Sequence, residues 1–216
     1  MKTVLFDMDG TILDTERIYQ KYWYIAAHEL GYDLTHEDFL EFRSLGHTFG
    51  MKLMEKKTGD PEAYVKIRNY RKQMMEPILE ETEIPLKPNV KEALALLKAN
   101  AFHLAIATAT KTDRTEHYLK RVGLIDYFDK LISAREVKEG KPSPDVYLYA
   151  LKEMNTDAAD AYAVEDAPNG VLSAHAAGIK TIMIPDLTEP DEELMSHLVY
   201  RADDLLDAAG YIIKNR

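Results

Sequence analysis

Apolar residues along the chain follow two different patterns, and the change between them divides the sequence into parts. A short continuous apolar run at residues 4–6 predicts a buried strand near the start of the chain. From about Asp14 to Glu81 the apolar residues have helical spacing, which predicts helices and no strands. The first of these helices carries its apolar residues at Ile18, Tyr22, Ala26 and Leu30, and Gly31 marks its end.

From Ile84 onward, strand-like and helix-like patterns alternate. Apolar runs predict strands at 104–107, 131–132, 161–164 and 181–184. Helical patterns lie between these runs, and Pro88 is expected in the first turn of the earliest of those helices. Alternation of this kind predicts a parallel sheet with helices on both faces.

The first strand fits this sheet, although the helical segment separates it from the other strands. We therefore predict an α/β fold, with a Rossmann-like parallel-sheet core formed by residues 1–14 and 84–216. An α-helical domain over residues 15–83, the helical insert, interrupts that core. The chain crosses between the two parts twice, near Asp14 and near Ile84, and such paired linkers suit hinge motion over a cleft.

Composition and charge narrow the class of protein. With 216 residues, 46% of them apolar, the chain can bury a sizeable core. Its 37 acidic residues outnumber its 27 basic ones, and the net charge of -10 argues against binding nucleic acid by neutralising phosphates. The absence of cysteine excludes disulfides, a thiolate nucleophile and a cysteine zinc site.

The start of the chain and its hydropathy bear on location. Met1-Lys2-Thr3 leads directly into the first strand, so we expect no signal peptide. No apolar run approaches the roughly 18 residues needed to cross a bilayer. We expect a soluble cytoplasmic monomer that acts on a small molecule, with no nucleic-acid or membrane partner.

Polar residues follow four of the predicted strands at the points where the strands end. Asp7 and Asp9 follow the first strand, in the stretch Asp7-Met8-Asp9-Gly10-Thr11. The other three strands are followed by Thr108, by Lys141 and by the pair Glu165-Asp166. Because the carboxyl ends of parallel strands meet at one edge of a sheet, these side chains are expected to gather there, where open α/β sheets bind ligands.

The residue types in this group suit phosphoryl transfer. Clustered carboxylates repel one another and need a cation, and an all-oxygen ligand set favours Mg²⁺. A lysine, together with a hydroxyl followed by backbone N–H groups, would bind a phosphoryl group. One carboxylate would act as the nucleophile and a second would move a proton, so the chemistry that fits is transfer through an aspartyl phosphate.

Each motif alone has a simpler explanation. Asp7, Asp9 and Gly10 could form a polar turn after a strand, and Thr108 could cap the following helix. Lys141 could be a solvated loop lysine, and Glu165-Asp166 could be a polar strand end. These explanations would have to hold together at four positions along one sheet edge, so we favour a joint active site.

In this order, the four groups resemble the four motifs of the haloacid dehalogenase superfamily of phosphotransferases. Asp7-Met8-Asp9-Gly10-Thr11 is similar to its first motif, Thr108 to its second, Lys141 to its third and Glu165-Asp166 to its fourth. The helical insert resembles the small helical cap of the subgroup that contains phosphoglycolate phosphatase-like and β-phosphoglucomutase-like enzymes. The resemblance implies a Mg²⁺-dependent phosphatase that acts on a small phosphorylated metabolite, of the sugar phosphate or phosphoglycolate type.

The resemblance also implies a role for each motif residue. Asp7 would attack phosphorus, while Asp9 would be the general acid for the leaving group and then the general base for water. Mg²⁺ would be bound by Asp7, by the backbone carbonyl of Asp9, by Asp166, and by Glu165 either directly or through water. The phosphoryl oxygens would be held by Gly10, Thr108, the N–H of Ala109 and Lys141.

Two departures favour a phosphatase over a mutase of the same subgroup. The β-phosphoglucomutase-like enzymes carry a cap histidine soon after the first motif, and the stretch from Asp14 to Gln20 has none. They also carry a cap arginine shortly after a glycine, whereas Gly46 is followed here by His47-Thr48-Phe49. Arg43 precedes that glycine and could substitute only if the loop were rearranged, so a second phosphate has no evident anchor. A phosphomutase and a catalytically inactive binding relative are the alternatives.

Substrate choice is expected to depend on the cap. The insert residues expected to face the cleft are Glu16, Tyr19, Arg43, His47 and Arg71. Each also has a structural explanation, since Tyr19 could belong to a core and Arg43 or Arg71 to a solvated helix face.

Overall fold

The computed structural model describes residues 2–216, and its centre is a six-stranded, fully parallel sheet. The strands are β1 (Thr3–Phe6), β2 (His103–Thr108), β3 (Lys130–Ser133), β4 (Ala161–Glu165), β5 (Lys180–Met183) and β6 (Tyr200–Arg201). Their order across the sheet is β3-β2-β1-β4-β5-β6. The order reverses between β1 and β4, and the carboxyl ends at such a reversal form the crevice where α/β sheets bind ligands.

Helices cover both faces of this sheet, as the alternating pattern predicts. The helices of the core are α5 (Val90–Ala99), α6 (Thr112–Arg121), α7 (Asp145–Glu153), α8 (Pro168–Ala176), α9 (Glu192–Met195) and α10 (Leu205–Lys214). Alternate residues of β1 face opposite sides, because Val4 and Phe6 join the cluster under α5 and α10 while Leu5 joins the cluster under α7 and α8. The predicted α/β fold class is therefore confirmed.

The helical insert contains four helices between β1 and α5. They are α1 (Glu16–Glu29), α2 (His36–Leu40), α3 (His47–Thr58) and α4 (Ala63–Glu81). They enclose an apolar cluster of their own, in which the Trp23 ring lies 5.7 Å from those of Phe39 and Tyr64. Because the insert has this separate cluster, we propose that residues 15–83 form a domain distinct from the core of residues 1–14 and 84–216.

The two crossings between insert and core run side by side. The backbone N–H of Asp14 donates to the carbonyl of Pro85 at 2.8 Å, and that of Lys87 donates to Ile12 at 3.0 Å. The end of α4 also reaches the core, since Met75 and Leu79 are fully buried in the cluster under α5. The end of α4 and the two crossings therefore anchor the insert to the sheet domain.

Two features of the core differ from the sequence prediction. Pro88 lies outside α5, because Asn89 adopts a left-handed conformation (φ 59°) and the helix begins only at Val90. Beyond Pro185 the sheet gains β6, a two-residue strand too short to show a period, and then α10. Among residues 2–216, no helix is both long and apolar enough to cross a membrane.

Candidate active site

The turn after β1 brings the first motif to the reversal point of the sheet. Asp7 continues the sheet by donating its N–H to Val164 of β4 at 3.0 Å. Gly10 follows with a left-handed φ of 87°, a conformation that residues with a β-carbon rarely adopt. A β-carbon at this position would also overlap the Asp166 carboxylate. Gly10 therefore makes possible both the turn and the close approach of the first and fourth motifs.

Lys141 lies at the centre of the group. Its side chain is completely buried, and Nζ donates to Asp7 Oδ1 and to Glu165 Oε1, each at 2.6 Å. Burial opposes the charged ammonium, but the two carboxylates outweigh burial and raise the pKa of Lys141 above its usual value. These contacts are not those of a solvated loop lysine, and they fix one oxygen of the Asp7 carboxylate.

Asp9 has a different set of partners. Its carboxylate accepts hydrogen bonds from the hydroxyls of Thr15 at 2.6 Å and Thr110 at 2.9 Å. Burial raises the pKa of Asp9, with a further contribution from Asp7, against the lowering effect of the two hydroxyls. A carboxyl whose pKa is raised keeps its proton to higher pH, which suits an acid that also acts as a base.

Three carboxylates form a compact cluster beside Lys141. One oxygen from each of Asp7, Glu165 and Asp166 lies within 4.8 Å of the others, and all three residues are buried. Burial raises the pKa of Glu165 and of Asp166, and the neighbouring Asp7 adds to that increase. Glu165 Oε2 has no hydrogen-bond partner among residues 2–216. A buried, oxygen-only donor set with an unpartnered oxygen fits a Mg²⁺ ion.

Arg43 of the insert lies directly against this cluster. Its Nη2 pairs with Asp166 Oδ2, and its Nε lies 3.4 Å from Glu16 Oε2. The Arg43 side chain is only 2% exposed, so it is not on a solvated helix face. A positive charge from the insert thus compensates one of the carboxylates in this conformation.

Thr108 and Ala109 line the same cleft at the end of β2. Thr108 is buried, and its hydroxyl accepts the N–H of Thr110 at 3.1 Å. The next helix, α6, begins at Thr112 with Lys111 as its N-cap residue, so Thr108 does not cap it.

A cavity of about 780 Å³ separates the sheet edge from the insert. All five insert residues expected to face it do line it: Glu16, Tyr19, Arg43, His47 and Arg71. Two of these residues, Glu16 and Arg43, form an ion pair with each other. Arg71 lies over aromatic rings, 4.3 Å from the centroid of Trp23 and 5.0 Å from that of Tyr19.

The insert and the core also meet through backbone at the mouth of the cleft. Gly46 donates its N–H to the carbonyl of Lys141 at 2.7 Å. A β-carbon on Gly46 would lie 2.8 Å from the backbone of Gly140, and one on Gly140 would lie 2.8 Å from Gly46 Cα. The amide of Asn169 donates to the carbonyls of Glu41 and Arg43 at 3.0 and 2.9 Å. The loop after α2 is thus held against the core.

Sequence analysis missed several side chains that the structure brings to the site. They are Thr15 and Thr110 on Asp9, Tyr147, whose hydroxyl donates to Glu165, and the cleft-lining Arg68, Arg114 and Arg135. The spacing of Arg68 and Arg71 could have indicated that Arg68 lies at the cleft with Arg71, because residues three apart on a helix share a face. The position of Tyr147 at the site could not be predicted, because Tyr147 belongs to the apolar stripe of α7.

Comparison with known proteins agrees with this arrangement. Residues 4–184 match the family described as haloacid dehalogenase-like hydrolase. The chain is 31% identical to a phosphorylated carbohydrates phosphatase of Thermotoga maritima, over 84% of each chain. It is 31% identical to protein CbbY of Rhodobacter capsulatus, over 99% of this chain and 97% of that protein.

A solved structure is similar over nearly the whole length. The crystal structure of CbbY from Rhodobacter sphaeroides in complex with phosphate superposes with a TM-score of 0.77 at 26% identity, covering 96% of each chain. The sheet order, the four strand-end motifs, the matched family and these relatives lead to one assignment. The chain belongs to the haloacid dehalogenase-like hydrolase family.

Proposed function

We propose that this chain is a Mg²⁺-dependent phosphatase that hydrolyses small phosphorylated metabolites through an aspartyl phosphate. The observation that carries the proposal is the buried Lys141 ammonium, which donates to both Asp7 and Glu165. Asp9, in contrast, accepts hydrogen bonds from two hydroxyls. One carboxylate is thereby oriented by a cation, and a second has a raised pKa. A nucleophile and a proton donor require this division.

The proposed reaction has two steps. In the first, a carboxylate oxygen of Asp7 attacks phosphorus, the bond from phosphorus to the ester oxygen breaks, and Asp9 gives its proton to that oxygen. In the second, water attacks the same phosphorus while Asp9 accepts a proton from the water. The bond from Asp7 to phosphorus then breaks, which releases inorganic phosphate and restores both carboxyl groups.

Positive charge and donors for the phosphoryl oxygens come from the other motifs. We assign Lys141, the Thr108 hydroxyl and the N–H groups near Gly10 and Ala109 to this task. Asp7, Glu165, Asp166 and the carbonyl of Asp9 would hold Mg²⁺. When bound, the ion would supply positive charge between the carboxylates and the phosphoryl oxygens.

The substrate class follows from the cleft and the relatives. A cavity of about 780 Å³ accommodates a small metabolite, and one relative is named for phosphatase activity on phosphorylated carbohydrates. We therefore propose a sugar phosphate or a phosphoglycolate-type substrate, with the helical insert acting as the cap. We also propose a cytoplasmic monomer with no nucleic-acid or membrane partner.

Phosphate release from a panel of phosphorylated metabolites, with and without Mg²⁺, tests the proposal. We expect release that depends on Mg²⁺ and is strongest for a sugar phosphate or a phosphorylated small acid. Absence of release from every ester, with correctly folded protein and Mg²⁺ present, would favour the inactive binding relative.

A phosphomutase is the second candidate, and one observation favours it. Arg68, Arg71 and Arg135 line the cleft, and none has a carboxylate oxygen within 4.0 Å among residues 2–216. They offer an anchor for a second phosphate, although the stretch after Gly46 does not. A ³¹P NMR time course with β-glucose 1-phosphate and a trace of the 1,6-bisphosphate separates the two candidates. Our proposal expects glucose and inorganic phosphate, whereas accumulation of glucose 6-phosphate ahead of inorganic phosphate would favour the mutase.

A further inference from the structure

A second cavity, of about 550 Å³, lies outside the active-site cleft where the insert meets the core. Leu40 and Phe49 line it from helices α2 and α3, and Pro168 lines it from the start of α8 in the core. Among residues 2–216, only Leu45 lines both cavities, so the loop between α2 and α3 separates them. The proposed reaction uses none of these residues, which leaves the second cavity without a role.

The walls of this cavity have the composition of a small-molecule site. The apolar side chains that line it are half-buried, and they come from both parts of the protein: Leu40, Leu45, Phe49, Leu53 and Pro168. Ligand sites in proteins are concave and mostly apolar, measure about 300–1,000 Å³, and often lie where domains meet. The second cavity fits this description in its size, lining and position.

The rim of the cavity carries unpaired positive charge. Lys52 and Lys56 lie one turn apart on α3, and neither has a carboxylate oxygen within 4.0 Å in the part of the chain that the structure describes. Lys57, in contrast, pairs with Asp38 at 2.6 Å and with Glu41 at 2.7 Å. Glu41 also lines the cavity, but this pair already engages its carboxylate. An apolar cavity with two free ammonium groups at its rim favours a ligand with an apolar body and an anionic end.

Polar groups in the same wall hold the insert on the core. Asn169 lines the cavity, and its amide donates to the carbonyls of Glu41 and Arg43 at 3.0 and 2.9 Å. Thr188 also lines it, and its hydroxyl accepts a hydrogen bond from Arg43 Nη1 at 3.2 Å. A ligand between α3 and the start of α8 would add apolar contact across this boundary. Its binding would therefore stabilise the docked position of the insert.

We propose that this cavity binds an aliphatic carboxylate of medium chain length and that its occupancy holds the insert docked on the core. The chain lies against the apolar side chains of α2, α3 and the start of α8, and the carboxylate lies at Lys52 and Lys56. One consequence rests on the proposed phosphatase function. Because the active-site cleft lies between the insert and the sheet edge, an insert that is held docked slows product release and lowers kcat.

Calorimetric binding of octanoate to the protein, with Mg²⁺ present, tests the site directly. We expect saturable one-to-one binding with a Kd of about 1 mM or tighter. Butanoate should bind about 10-fold more weakly or worse, because it buries fewer methylene groups. Octanol and octylammonium, which keep the chain but lack the negative charge, should each bind about 5-fold more weakly.

Variants separate the charge of the rim from the apolar wall. The double change Lys52→Gln with Lys56→Gln should weaken octanoate by about 10-fold and leave octanol unchanged. Leu53→Gln should weaken octanoate and octanol alike, by about 10-fold or more. Circular dichroism confirms that each variant is folded. Because both lysines are exposed, the double variant tests the rim even if Leu53→Gln does not fold.

Two further variants are controls. Lys214→Gln removes an exposed charge on α10 that lines neither cavity, so octanoate affinity should not change. Arg68→Gln removes a cation that lines only the active-site cleft, and it should likewise preserve octanoate binding. A loss of octanoate affinity in Arg68→Gln would place the ligand in the active-site cleft and overturn the inference.

Hydrogen exchange and kinetics test the effect on the insert. Octanoate should slow amide exchange in residues 41–46, which include the Gly46 N–H that donates to the Lys141 carbonyl. In ester hydrolysis, octanoate should lower kcat with a midpoint equal to its calorimetric Kd, and added substrate should not restore the rate. Binding without slower exchange would refute the effect on docking.

The remaining outcomes also decide between explanations. Absence of saturable binding, or equal affinity for octanoate and octylammonium, would overturn the inference. A dimer in analytical ultracentrifugation that Leu53→Gln dissociates would assign the cavity to a second copy of the chain instead. If the parent protein hydrolyses no ester, the phosphatase proposal fails, whereas calorimetry and hydrogen exchange still decide whether the site exists.

Discussion

Single residues divide the work of the site according to what lies against each carboxylate. Asp7 contacts an ammonium, Asp9 contacts two hydroxyls, and Asp166 contacts a guanidinium from the insert. These contacts give neighbouring carboxylates different properties although burial acts on all of them. Two predictions follow from the contacts of Asp9 and of Asp166.

Asp9→Asn should separate proton transfer from metal binding. Because the proposed metal contact of Asp9 is its backbone carbonyl, the substitution removes the acid and base but retains that contact. We expect kcat to fall by about 10²–10⁴-fold, while Mg²⁺ affinity measured by calorimetry changes little. A collapse of Mg²⁺ affinity equal to that of kcat would show that the side chain is itself a ligand.

Arg43→Gln should make the metal-free protein less stable and its Mg²⁺ affinity higher. The change leaves Asp166 buried without its counter-charge, and breaking a buried pair in this way costs about 3–5 kcal/mol. Mg²⁺ would compensate the same carboxylate. Urea unfolding with and without Mg²⁺ measures both effects.

The matched control is Arg17→Gln, because the Arg17 side chain is 65% exposed and its Nη2 lies 3.6 Å from Asp186 Oδ1. That substitution should cost less than about 1 kcal/mol in either condition. Two results together would show that Arg43 does not compete with the cation. Mg²⁺ would leave the destabilisation of Arg43→Gln unchanged, and the variant would bind Mg²⁺ no more tightly than the parent protein.

At the scale of elements, the cleft depends on how the loop between α2 and α3 docks on the core. Besides the side-chain contacts of Arg43 and Asn169, the loop meets the core through backbone, at Gly46, Gly140 and the carbonyl of Lys141. Lys141 contributes its carbonyl to this contact and its ammonium to Asp7. Closure of the insert is thus linked through one residue to the orientation of the proposed nucleophile.

Gly46→Ala should lower activity while the fold is retained. The backbone of Gly46 (φ -62°, ψ 150°) is accessible to alanine, so the added methyl acts only through its 2.8 Å approach to Gly140. The loop must move, and the hydrogen bond to Lys141 should be weakened. We expect kcat/KM to fall about 10-fold or more, since displacements near 1 Å have effects of this size or larger.

Gly210→Ala provides the comparison, because nothing lies within 4 Å of a β-carbon there and the residue is in α10. It should leave kcat/KM unchanged and stabilise the protein by about 0.5–1 kcal/mol. If Gly46→Ala has the same kcat/KM as the parent protein, the close approach of Gly46 to Gly140 does not matter for catalysis.

For the molecule as a whole, the features that follow from local sequence patterns were predictable, and those that follow from docking were not. The alternating periods indicate the parallel sheet and the insertion, and the strand-end residues indicate which edge carries the chemistry. The stripe Leu205, Ala208, Ala209 and Ile212 was an available signal for α10. The pairing of Arg43 with Asp166 was not predictable, because it depends on how the insert docks on the core and no local period encodes docking.

Removal of the metal should affect the whole protein as well as turnover. Three buried carboxylates lie within 4.8 Å of one another, so an ion that binds only the folded state stabilises it. At about 100 times its Kd, Mg²⁺ should add about 2.7 kcal/mol to the free energy of unfolding. Exhaustive chelation should abolish phosphate release, and Ca²⁺ should inhibit, because it prefers more ligands at longer distances. Full activity after chelation would contradict the assignment of the metal site.

The proposed mechanism requires that Asp7 is phosphorylated during turnover. Quenching the enzyme during steady-state hydrolysis and reducing it with borohydride converts an aspartyl phosphate to homoserine, which peptide mass spectrometry locates in the chain. We predict homoserine at position 7, dependent on substrate and Mg²⁺. None should form in Asp7→Asn, which should also lose essentially all turnover. Rapid turnover with position 7 unmodified would contradict this assignment. So would homoserine at position 9 or 166, or 5-hydroxynorvaline, the corresponding reduction product of a glutamyl phosphate, at position 165.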